Sequence, residues 1–200
     1  MSALPLLYLR SRALPVTAAA LAGTVLLAAW SAYWLQEQPR FDHTARVPVV
    51  VLAPLLAAAA IGTGLHSHSG ELDRACARRW WPRLLLHLVV ATALVAGALA
   101  AAVPGHPEAF GAPAMVRNVL GSTGVTAASA ALFGARSSWL PMTVYGGAVY
   151  LAAPDVPGGA AALWAWPLQP GPESGAWLVA GAAYAAGAAL LAARGPGRTR

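Results

Sequence analysis

The chain contains no lysine, a single cysteine and only seven acidic residues in 200. Each shortage excludes something. One thiol, Cys76, rules out an internal disulfide and a CxxC metal site. Charged side chains make up 10% of the residues, too few to coat a water-soluble globule of this size. No long polar tract is left for a separate soluble domain, so an ATPase or receptor module on this chain is not expected. All thirteen basic residues are arginines, and the missing lysine accompanies much Ala, Gly and Pro. That bias matches a GC-rich genome, so alanine richness by itself carries no functional meaning.

What is present is apolar: 58% hydrophobic residues and a mean hydropathy of +0.58. The expected fold is an all-α integral membrane protein in one transmembrane domain covering 1–200. A hydrocarbon layer of about 30 Å takes roughly twenty helical residues to cross. Apolar runs suited to this lie at approximately 14–35, 47–65, 84–103, 114–133, 139–153 and 176–193, which predicts about six spans. The runs are continuous and do not alternate, which favours helices over a membrane barrel. The first run ends in "WSAYWLQEQ" without a small-residue cleavage site, so it reads as a retained span.

Arginine placement orients the bundle. With both termini in the cytoplasm, ten arginines lie inside and three (Arg40, Arg46 and Arg117) outside, as the positive-inside rule requires. The segment "PDVPGGAAALWAWPLQPGPES" carries two acids and no base and belongs outside. The expected location is therefore the cytoplasmic membrane, crossed several times. The net charge of +6 sits beside apolar runs, so lipid headgroups are the expected counter-charge and no nucleic acid is expected.

Three stretches stand out between and before the spans. "SALPLLYLRSRALP" reads as an N-terminal interfacial segment. "GGAAALWAW", with Trp164 and Trp166, is too short to span and too oily for a free loop, so it reads as a re-entrant or interfacial outer segment between spans five and six. Residues 66–83, "HSHSGELDRACARRWWPR", hold six of the twenty charged side chains. Within them Ser69 suits a helix cap, Glu71 and Asp73 a first turn, and Arg78 and Arg79 a last turn, before Pro82 ends the helix. This predicts a short cytosolic helix between spans two and three.

Candidate chemistry within the chain is sparse. His66, His68 and His87 supply too few convergent donors for zinc unless Cys76 or Glu71 folds back, and solvated loop histidines are preferred. "GSTG" at 121–124 is similar to the glycine-flanked serine of rhomboid proteases, yet the nucleophile position would be Thr123 and the later spans contain no histidine. Small residues there permit close helix packing. Arg117 and Asn118 are the most polar pair inside an expected span. A central arginine costs about 2.5–3.5 kcal/mol, so Arg117 is expected either to snorkel to the outer interface or, with Asn118, to line a transport path.

The order of elements resembles the membrane subunits of type-2 ATP-binding-cassette exporters: an interfacial N-terminal segment, a charged helix after span two, and an oily outer insertion before the last span. The layout of "SGELDRACARRWWPRLLLHL" is similar to the loop that carries the coupling helix in that family. The resemblance implies a permease subunit that performs no chemistry and exports a hydrophobic or amphiphilic cargo. It also implies a cytosolic ATPase partner docking on Gly70, Glu71, Leu72, Asp73, Arg74, Arg78 and Arg79, and a second permease copy or paralogue. No cofactor is expected on this chain; ATP and Mg would bind the partner. The alternatives from other classes are an integral-membrane enzyme and a non-catalytic scaffold or immunity protein.

Overall fold

The computed structural model describes residues 14–37, 47–65, 81–103, 110–153 and 157–195. Their regular structure is entirely helical. The main helices are α1 (Leu14–Glu37), α2 (Val47–Gly64), α3 (Trp81–Ala102), α4 (Ala112–Phe133), α5 (Leu140–Ala152) and α7 (Ser174–Arg194). A single turn, α6 (Ala161–Trp164), and a 3₁₀ turn at Trp166–Leu168 lie between α5 and α7. Helices thus occupy all six expected apolar segments. Four of them, α1, α2, α3 and α7, are long and apolar enough to cross a membrane, as a multi-pass membrane protein requires.

The other two differ for identifiable reasons. α5 has 13 residues, about 20 Å of helix at 1.5 Å per residue, short of a full hydrocarbon layer. α4 is long, with 22 residues, but carries Arg117, Asn118, Ser122, Thr123, Thr126 and Ser129. All six are buried, because α4 is the central helix, with α2, α3, α5 and α7 packed around it. A helix sheathed by protein need not present an apolar surface to lipid. Pro113 in its first turn and Gly134 just beyond its last residue, at φ 93°, bound it.

Small residues set how closely the sheath approaches. At the α4–α7 crossing, a Cβ on Gly187 would come within 2.0 Å of the Gly124 carbonyl oxygen, and one on Gly124 within 2.4 Å of the Tyr184 backbone nitrogen. Backbone meets backbone there, which only glycine permits. α2 also comes close to the α4–α5 corner, where a Cβ on Gly62 would strike the side chains of Thr126 and Ser138.

The bundle's outer surface is apolar. Leu26, Leu27, Trp30 and Tyr33 on α1 and Leu86, Val89 and Leu94 on α3 are exposed, an inside-out arrangement suited to a lipid solvent. α1 is the most peripheral of the long helices and packs on α2 and α3.

The N-terminal segment before Leu14 and all of 66–80 lie outside the described residues. The proposed docking positions Gly70, Glu71, Leu72, Asp73, Arg74, Arg78 and Arg79 fall in that second stretch, as do His66, His68 and Cys76. Of the six charged residues in that stretch only Arg83 is described; it is exposed in the first turn of α3, after Pro82.

A buried arginine and asparagine as the candidate functional site

Pro54 lies inside α2. Proline has no N–H, so the carbonyl four residues earlier, that of Val50, loses its intrahelical donor. In a membrane bundle that oxygen needs another partner. Asn118, the only asparagine in the chain, supplies one: its Nδ2 donates to Val50 O at 3.0 Å and, with its second hydrogen, to Pro167 O at 2.8 Å. Its Oδ1 accepts from Arg117 Nε at 3.2 Å and Nη2 at 3.1 Å. Both donors and both lone pairs of the amide are therefore used.

Arg117 completes the arrangement. It is 0% exposed, the largest fully buried side chain among the described residues. Nη1 donates to Pro170 O at 2.7 Å and Nη2 to Gln169 O at 2.7 Å. Planar fork geometry lets one guanidinium bind two successive main-chain carbonyls while bracing its neighbour's amide. The carboxylate of Glu173, three residues beyond Pro170, contributes a favourable opposing charge.

The acceptors belong to the oily outer segment, which is thereby folded onto the bundle. Its turns contact α2, α4, α5 and α7. Trp166 is buried with its ring against Gly121, where a Cβ would come within 2.3 Å of the indole, and it stacks on Tyr145 at 6.4 Å between centroids. The Tyr145 hydroxyl donates to Trp164 O, and Trp177 Nε1 donates to Gly171 O at 2.8 Å. Gln169 is also buried, its Oε1 accepting from the Gly158 N–H at 2.8 Å. Leu163 and Trp164 remain on the outside of the segment.

The two settings expected for Arg117 were a snorkelling position and a transport path. In the structure Arg117 and Asn118 are enclosed by protein and bonded to main-chain oxygens of two other elements. The site fixes geometry: its polar atoms are engaged with one another and with carbonyls. Thr123, the position equivalent to a rhomboid-type nucleophile, is buried, and among the described residues its hydroxyl has no hydrogen-bond partner and no base touching it. Among the described residues no group of three or more His, Cys, Asp or Glu is placed to hold a metal. Reading the sequence alone missed the carbonyls of Val50, Pro167, Gln169 and Pro170, though Pro54 within an apolar run was a usable signal that an interior oxygen needed a donor.

No protein-family model, curated protein or solved structure matches the chain.

Proposed function

We propose that the chain is the permease subunit of an exporter of the ATP-binding-cassette type, crossing the cytoplasmic membrane six times with both ends inside. A separate cytosolic ATPase would drive it. The observation that carries this reading is the charged segment joining α2 to α3. α2 ends at Gly64 and α3 begins at Trp81, the two helices pack on each other, and the intervening residues hold "SGELDRACARRW". A short charged helix tethered at both ends to packed spans is the mechanical requirement for passing a partner's motion into a bundle. In this reading α4 and α5 complete the crossings, α4 inside its sheath and α5 with the outer segment extending it.

The experiment is affinity capture of the ATPase with the Glu71→Ala, Asp73→Ala variant, beside a membrane-insertion assay. Topogenic arginines are nearly indifferent to neighbouring acids. A docking helix instead loses first-turn charge and partner contacts of about 0.3–1 kcal/mol each. Normal insertion with weakened ATPase capture supports the permease; unchanged capture and unchanged transport remove its main support.

A second reading, a non-catalytic membrane scaffold, is favoured by one observation: Arg117 and Asn118, the strongest polar groups of the described interior, are engaged in holding an outer segment in place. Full-length protein that captures no ATPase but retains a membrane partner would support it.

A further inference from the structure

A groove of about 490 Å³ runs along the outer face of the bundle between α1 and α3, with Ile61 of α2 at its floor. Its walls are aliphatic, from Leu21 on one side and Val90 and Leu94 on the other, and its polar residues are Thr17, Arg83 and His87. Arg83 and His87 are four residues apart and so share one face of α3, one turn above the other. They lie at the helix start, where exposed Trp81 marks the headgroup level that indole rings favour. From Arg83 to Leu94 the helix rises about 16 Å, so the groove begins at the interface and descends into the hydrocarbon layer.

We propose that this groove binds one anionic phospholipid, its phosphate at the Arg83 and His87 end and one acyl chain along Leu21, Val90 and Leu94. The charge pattern matches such a lipid end for end: cation and hydrogen-bonding groups at the membrane surface, aliphatic wall below. Basic pockets between spans select anionic headgroups for this reason. A single acyl chain is thin enough to lie along a groove of this size. The site is independent of the exporter reading and stands whether or not an ATPase partner exists.

The test uses the full chain in nanodiscs supplied with equal phosphatidylglycerol and phosphatidylcholine, followed by native mass spectrometry of retained lipid. Retention should favour phosphatidylglycerol by about fivefold, the factor expected from one surface arginine. Arg83→Gln should bring the ratio close to one while the protein stays folded by circular dichroism. Ala91→Phe, which fills the groove, should lower retention of both lipids, and Ala18→Leu on the opposite wall repeats the plug if that variant does not fold. Three results overturn the proposal: no headgroup preference in the parent, a preference that survives Arg83→Gln, or retention untouched by the plugs. A two-chain species that the plugs dissociate, with no headgroup selectivity, would assign the groove to a second copy and overturn it as well.

Discussion

Replacing Arg117 by alanine removes every donor that holds the outer segment to α4 through Gln169 and Pro170, and leaves Asn118 Oδ1 without its two N–H partners. Two buried acceptors, Gln169 O and Asn118 Oδ1, are orphaned, while the half-buried Pro170 O keeps the Glu173 N–H at 3.4 Å. At about 1–3 kcal/mol each the sum is about 2–6 kcal/mol. Deleting the cation also removes its own desolvation cost, so a net loss of about 3 kcal/mol is expected, the low end of the about 3–5 kcal/mol found when one partner of a buried ionic contact is lost. That is a large fraction of a typical stability of about 5–15 kcal/mol. The loss acts locally first, because Asn118 still donates to Pro167 and Trp177 to Gly171. The reporter is Ala165→Cys in a Cys76→Ser background: Ala165 lies within the segment on its fully buried side, and a cysteine there reacts with a thiol reagent only when the segment lifts. A 3 kcal/mol drop in the opening free energy should speed labelling about 150-fold. Arg117→Lys keeps the charge but loses the fork, and should fall between parent and alanine variant. An alanine variant that is inserted and folded yet labels at the parent rate would refute the assignment of Arg117 as the tie.

The α4–α7 crossing gives a second test. Gly187→Ala must push backbone from 2.0 Å to beyond 3.0 Å and should cost about 1–3 kcal/mol in detergent unfolding, whereas Gly181→Ala on the same helix, with nothing within 4 Å, should be neutral or mildly stabilising. Equal stabilities would mean that the close approach is not needed. Gly121→Ala drives a methyl into the Trp166 ring, so it should raise Ala165→Cys labelling without touching any hydrogen bond; unchanged labelling would separate the indole from the tie-down. For topology, an impermeant thiol reagent applied from outside should label Ser174→Cys, at an exposed position, and not Ser69→Cys, again in the Cys76→Ser background; the reverse pattern would invert the bundle.

Helix positions were legible because each followed from an apolar run of helical length. The expected 47–65 and 176–193 correspond to Val47–Gly64 and Ser174–Arg194, and Gly134 closes α4 one residue past the expected limit. Local chemistry determines such boundaries. The environment of Arg117 was not legible in that way, because its partners are carbonyl oxygens about fifty residues downstream, and every residue type has a carbonyl. Hydropathy sets α4 apart from the four long apolar helices, but it does not say that its serines and threonines are buried because four helices surround it. The polar content of "RNVLGSTGVTAAS" was visible; what it signified depends on how deeply the helix is enclosed.

Asn118 makes these features one mechanical unit. The amide that repairs the backbone of α2 at Pro54 is the same amide that receives Arg117 and grips Pro167. Sliding α2 against α4 would therefore break hydrogen bonds inside a low-dielectric interior and loosen the outer segment in the same step, at a cost shared by every group in the network. Gly124 and Gly187 add α7 to that body through backbone contact. A rearrangement that leaves this network intact must therefore move α2, α4, α7 and the outer segment as one body.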